Sequence, residues 1–361
     1  MFEIFNTKVE NVSETFDLNT PAGRHEYFHQ KAAKEIEELK EYLEHNSFVS
    51  FWLAKKGAGK GTYSKMFSEI IGEERLAHIS VGDVVRHVHA SVEDEQAKKA
   101  LYTYLDENYR GTLSLDEAFD ALINRETKTL LPTEFILTLV KREIEQLDGQ
   151  GIMMDGFPRG MDQISYSLYF REIMNLRHDP DFFVLIDVPD SVLDARVKAR
   201  VVCPKCQLSR SIKFLLTKDI IYDPETDTYH LICDNPACEG CGEERLVAKE
   251  GDDLGIEGIR DRLEADDELI KYALRLRGIP KLTLRNTVPV DQAQSYVDEY
   301  EITPEFVFDH NANNEVEIST KPWVVKDSDG SDAYSLMAAP VVLSFIKQMH
   351  AQLIGDDTMG V

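Results

Sequence analysis

The stretch "FVSFWLAKKGAGKGT", residues 48–62, constrains the fold more than any other part of the chain. "FVSFWLA" is an apolar run of the length of a buried strand, a glycine-rich turn follows it, and "TYSKMFSEII" then has a helical pattern. Strand, glycine turn and helix in that order form a loop suited to phosphate: successive N–H groups can point inward at an anion, and the helix N-terminus adds partial positive charge. Such loops usually read G-x-x-x-x-G-K-[ST]. Here Ala54 stands at the first glycine position, and Gly61 separates Lys60 from Thr62. Gly57, Gly59 and Gly61, with Ala58 among them, permit close backbone approach; Lys60 can reach β- and γ-phosphates, and Thr62 can position phosphate or Mg²⁺. The plainer alternative, a turn beside a solvated lysine, does not account for the strand before it and the helix after it.

Further apolar runs at "RLAHISV", "GIMMDGF", "DFFVLIDV" and "LTLRNTVPV" are separated by helical stretches. Strands alternating with helices imply an α/β fold, a P-loop NTPase-like parallel sheet flanked by helices, with the ligand site at the carboxyl ends of the strands. The expected organisation is a helical N-terminal extension (1–47), core (48–80), a nucleotide-binding segment (81–135) with a helical insertion at 90–126, core (136–202), a cysteine-rich lid (203–253), core (254–300) and a C-terminal extension (301–361).

Acidic residues outnumber basic ones 65 to 40, for a net charge of −25, which argues against a nucleic-acid or anionic-membrane partner. No apolar run reaches the ~18 residues of a membrane span. The first residues lack the charged and apolar regions of a signal peptide, so a cytoplasmic location is expected.

Four motifs stand in order: "GAGKGT", "HISVGDVVR" (78–86), "DGFPRGMDQ" (155–163) and "DVPDSVLDARVKAR" (187–200). Together they resemble the adenylate kinases over residues 48–290, apart from the insertion. The resemblance implies transfer of a phosphoryl group from MgATP to AMP, with Lys60 on the ATP phosphates, and Arg86 and Arg159 on the acceptor phosphate. It further implies that Val81, Gly82, Gly156 and Gln163 lie around the acceptor base, and that Asp155 orders Mg²⁺ and its waters. Arg196 would stack on the ATP adenine and Arg200 would contact the transferring phosphate. "LVAKEGDD" resembles the family's L-x-x-R-x-D-D, placing Lys249 where arginine is usual, and "GIRDRLEAD" offers Arg262 as a lid-side arginine on the AMP side, with Arg260 as the alternative. Val81 replaces a hydroxyl residue and Gly160 a threonine. These departures leave two other readings: a nucleoside monophosphate kinase with another acceptor base, or a nucleotide-sensing interaction protein that has lost turnover. Phosphoryl transfer needs positioning and positive charge rather than a covalent nucleophile, which the Arg and Lys set supplies. A monomer is expected, with the terminal extensions as the surfaces that could mediate oligomerisation.

All five cysteines fall between Cys203 and Cys241. "CPKC" and "CEGC" form two C-x₂-C knuckles, the pattern of a structural Zn²⁺ held by Cys203, Cys206, Cys238 and Cys241, with Cys233 as an alternative in place of Cys238. In the insertion, "DENYRGTLSLDE" (106–117) has partial spacing for a calcium loop, but Arg110 occupies a ligand position. The alternative is a helix start in which Ser114 and Glu117 form a capping box.

Overall fold

The computed structural model describes residues 2–9, 14–123, 131–147, 149–157 and 179–355. Its centre is a parallel sheet of five strands: β1 Val49–Ala54, β2 Leu76–Ser80, β3 Gly151–Asp155, β4 Asp181–Asp187 and β5 Lys281–Arg285, in the order β5-β4-β1-β3-β2. This is the P-loop NTPase-like α/β architecture expected from the sequence. β1 is buried at every residue, as a strand with neighbours on both sides and helices on both faces must be. Its pleat sends Phe51 and Trp52 into the cores on opposite faces, and Phe182 and Phe183 of β4 do the same. β1 is flanked by β3 and β4, so the chain departs to both sides of it, opening a crevice at the strands' carboxyl ends.

Nine helices of the described residues matter below: α1 Pro21–His45, α2 Lys60–Ile71, α3 Val81–Ser91, α4 Glu95–Asn108, α5 Leu115–Ile123, α6 Thr133–Glu145, α7 Asp190–Lys198, α8 Arg260–Arg275 and α9 Ala338–Leu353. α1 starts where Pro21 can take the first helical position, with the Thr20 hydroxyl accepting from the Gly23 N–H. Its buried face carries Tyr27, Phe28, Ala32, Ile36, Leu39 and Leu43 at helical spacing.

The last helix, α9, packs on α1, α2 and β5 and so belongs to the core layer. Phe345 lies edge-on to Trp52 at 5.0 Å and against Phe67 at 4.6 Å between ring centres. Gln348 covers the free edge of β5: its carbonyl accepts from the Thr283 N–H, and its amide donates to the Thr283 carbonyl, both at 2.9 Å.

In the insertion, α4 continues through Asn108, so Asp106 sits inside a helix rather than at the start of a cation loop. The Ser114 N–H donates to Glu117 at 2.9 Å, and the Glu117 N–H to the Ser114 hydroxyl at 3.3 Å, which is the capping box. The lid pairs Arg200–Val202 with Ser209–Ser211 and Val247–Ala248, and adds a hairpin of Ile220–Asp223 with Thr228–Leu231. After β5 comes a small sheet (Thr287–Pro289, Val324–Lys326, Asp332–Ser335) and a hairpin of Pro304–His310 with Val316–Pro322. Among the described residues no helix is long and apolar enough to cross a membrane.

Candidate functional site

β1 ends at Ala54 and α2 begins at Lys60; the turn between them carries Gly57 at φ +86° and Gly59 at φ +105°. Both are left-handed conformations that a Cβ strains, and at Gly59 a Cβ would also come within 3.0 Å of the Tyr63 ring. Among the described residues no side chain caps α2; the Thr62 and Tyr63 N–H groups donate to the Gly59 carbonyl at 2.9 Å, which leaves those of Lys60 and Gly61 for an anion. The loop forms the floor of a cavity of about 850 Å³ that Lys55, Lys60, Thr62, Lys65 and Asp155 line. This is where the local concentration of cations in an acidic chain is found.

Lys60 donates to the Ala54 carbonyl at 3.1 Å and stands 3.6 Å from the Asp155 carboxylate. Asp155 ends β3 and is level with Trp52 of β1 and Ser80 of β2, so strand register places it over the loop. Although burial opposes its charge, Lys55 is held above its ordinary pKa by Asp190, at 2.8 Å, and Asp267. Arg262, Asp266 and Leu269 reach the cavity from one face of α8, and Asp266 accepts from the Lys56 N–H at 3.0 Å.

The other expected residues fall into three groups. Gly156 lines this cavity, while Arg196 and Arg200 line a second one of about 450 Å³ that shares Gly57, Gly59 and Thr62 with it. Arg200 makes two 2.6 Å hydrogen bonds to Asp252, which raise its pKa. Val81 is buried and Gly82 half-buried at the start of α3; Arg86 is exposed and paired with Asp83. Lys249 is exposed on the lid and lines neither cavity, and Arg260 pairs with Glu257. Arg159 and Gln163, with Gly160, lie outside the described residues.

The thiol set differs from the two C-x₂-C knuckles. Cys203, Cys206, Cys233 and Cys238 bring their sulfurs within 4.8 Å of one another, whereas Cys241 is exposed and outside the cluster. Cys233 therefore takes the place of Cys241, not of Cys238. In the turn after Cys238 the Cys241 N–H donates to the Cys238 carbonyl and the Gly240 N–H faces the Cys238 sulfur, while Cys233 and Cys238 are buried together and Cys241 is left at the surface. Sulfurs about 2.3 Å from a tetrahedral ion stand about 3.8 Å apart. The pairs Cys203–Cys238 and Cys206–Cys233 are at 3.9 and 3.7 Å, so the four fit such an ion. Hydrogen bonding from the Leu208 backbone pulls the Cys206 thiol down to about 6, and burial pushes Cys233 up to about 12.

Arg24 was not foreseen from the sequence. It comes from α1, lines both cavities, and grips the Glu69 carboxylate with its Nη2 at 3.0 Å to each oxygen. No local motif marks it, because 45 residues separate it from its partner.

The fold and loop define a P-loop NTPase-like protein of the α/β class. No family model matches the chain. Over 156 residues it is 33% identical to proteins named adenylate kinase from Thermotoga petrophila and Thermotoga maritima, covering 43% of this chain and 59% of theirs. Over 167 residues it is 32% identical to one of the same name from Clostridium acetobutylicum, covering 46% of this chain and 65% of that one. Through this part of its length the chain is similar to proteins named adenylate kinase. It spans about three fifths of the length of the Thermotoga relatives.

Proposed function

We propose that the protein is an adenylate kinase, converting MgATP and AMP reversibly to two ADP. The observation that carries this reading is the placement of Lys60 beside Asp155 at the bottom of a cation-rich cavity that runs on, through shared loop residues, into a second cavity beneath the lid. ATP phosphates in the loop would meet its amides and Lys60, and the base would lie towards Arg196. Mg²⁺, brought with ATP, would neutralise charge between the β- and γ-phosphates, and Asp155 would hold its waters. Arg262 would face the transferring group from α8. Arg200 would exchange Asp252 for phosphate, and the lid would exclude water that would otherwise take the phosphoryl group. Arg86, Arg159 and Gln163 remain the proposed AMP contacts, with Lys249 assigned a weaker role at the lid.

The test is ADP formation from MgATP with AMP, UMP, CMP, GMP or no acceptor. Turnover with AMP far above the others is the expected result; preference for another base would assign a sibling kinase, and ATP binding without turnover on any acceptor would favour the nucleotide sensor.

We also propose that Cys203, Cys206, Cys233 and Cys238 hold a structural Zn²⁺ that organises the lid, since a closed four-thiolate site leaves no position for a reactant. Metal analysis after dialysis against a mild chelator is expected to find zinc in wild type and Cys241→Ser, and little in Cys233→Ser. Zinc retained by Cys233→Ser and lost from Cys241→Ser would restore the two C-x₂-C knuckles.

A further inference from the structure

The chain leaves β5 at Asn286 and returns to the same point 50 residues later: the Leu336 N–H donates to the Asn286 carbonyl at 2.8 Å, and the Asn286 amide donates to the Leu336 carbonyl at 3.0 Å. That point adjoins the nucleotide site, because Arg196 reaches the Asn286 side chain at 3.4 Å. The excursion thus projects from the rim of the second cavity. It supplies part of the lining, Thr303, Pro304 and Trp323, of the cavity that Arg196 and Arg200 also line, and Phe214 of the lid stands beside Trp323.

Trp323 is buried, and its ring stacks on Phe214 with centres 3.8 Å apart and planes at 27°. Other contacts press the lid onto the excursion. The Phe306 N–H donates to the Lys213 carbonyl at 2.9 Å, and Glu305 pairs with Lys213 at 3.3 Å. Farther out, His310 stacks on Tyr222 at 3.8 Å and shares a hydrogen bond with the Tyr229 hydroxyl at 3.0 Å. The lid side of the cavity is consequently held by residues 303–323, outside the sheet and the phosphate loop.

We propose that this excursion is part of the donor-nucleotide site, with Trp323 as a positioning residue that holds Phe214 as an aromatic wall for the base of a purine nucleoside triphosphate. The proposal rests on the reading of the phosphate loop as the donor site. A base on an aromatic wall gains stacking in proportion to its π-face, so a purine gains more than a pyrimidine.

The test is calorimetric titration of MgATP, MgCTP and AMP into wild type, Trp323→Ala, Trp323→Phe and Phe214→Ala, with KM and kcat measured alongside. Trp323→Ala and Phe214→Ala are expected to weaken MgATP binding about tenfold or more and to narrow the preference for MgATP over MgCTP. AMP affinity and kcat should stay within about twofold, and Trp323→Phe should recover most of the loss, a pattern that general loosening of the fold would not give. Should Trp323→Ala fail to fold, Phe214→Ala decides, since Phe214 is only half-buried. Unchanged MgATP affinity in the folded variants, with wild type active, would overturn this inference alone. A wild type that binds no MgATP would overturn the donor-site reading with it.

Discussion

Lys60→Met should lower phosphoryl transfer by about 10²–10³-fold while leaving the fold intact. The ammonium sits between the Ala54 carbonyl and Asp155 at the mouth of the first turn of α2, where the loop amides converge. In the proposed reaction it would face developing charge on the β- and γ-phosphate oxygens, and a positioned cation in a water-poor site is worth more in the transition state than in the ground state. Methionine has nearly the same length and flexibility, so the change deletes charge rather than volume. Because the Lys60 side chain is 21% exposed and its ion pair with Asp155 is long, at 3.6 Å, thermal stability should change little. Steady-state ADP formation and a thermal melt check both statements. Wild-type turnover in the variant would remove Lys60 from the mechanism, whereas a collapsed melting transition would mean that its structural role dominates.

The second large effect is expected far from the chemistry. Glu301→Ala should destabilise the protein by about 3–5 kcal/mol, the cost of removing one partner of a buried ion pair. Lys31 of α1 and Glu301 are both fully shielded from solvent and 2.9 Å apart. The Glu301 carboxylate also accepts from the Tyr27 and Thr7 hydroxyls, each at 2.5 Å, and from the Asp298 N–H at 2.7 Å. Burial first, and then the Glu301 charge, push the Tyr27 hydroxyl well above its ordinary pKa, so Tyr27 remains a donor. One carboxylate thereby ties the N-terminal segment, α1 and the excursion together. Its loss leaves the buried Lys31 nitrogen with Asp298 at 2.7 Å and the Thr7 carbonyl at 3.1 Å as its hydrogen-bond partners among the described residues, beside the Tyr27 and Tyr300 rings. The double variant Lys31→Met, Glu301→Gln should lose less than the sum of its single changes, because no uncompensated charge is then buried. Urea denaturation of the four proteins measures the coupling; strict additivity would show that the pair does not act as a unit.

Much of the core was legible in the sequence. The apolar runs became β1 to β5, most clearly the central β1, which is buried at every residue, and "GAGKGT" became the turn into α2 because its glycines permit positive φ at residues 57 and 59. A helix in the N-terminal extension was also foreseen, and its start at Pro21 follows from a local cap. Each of these signals arises within a few residues of chain, where backbone sterics and burial periodicity act.

The thiol set was less legible. C-x₂-C spacing marked Cys203 and Cys206 correctly, but the choice among Cys233, Cys238 and Cys241 rested on the packing of the lid, which buries Cys233 and Cys238 and leaves Cys241 exposed. Spacing says which thiols can meet around one ion; the packing decides which do. The sequence by itself determined the elements, the phosphate loop and the presence of a cysteine cluster. Only the tertiary structure decided that Arg24 and Trp323 line the cavities and that Glu301 ties the N-terminal extension to the excursion. Those contacts join residues from tens to hundreds of positions apart, and their partners are chosen by how layers pack and where the chain returns, which no local periodicity encodes.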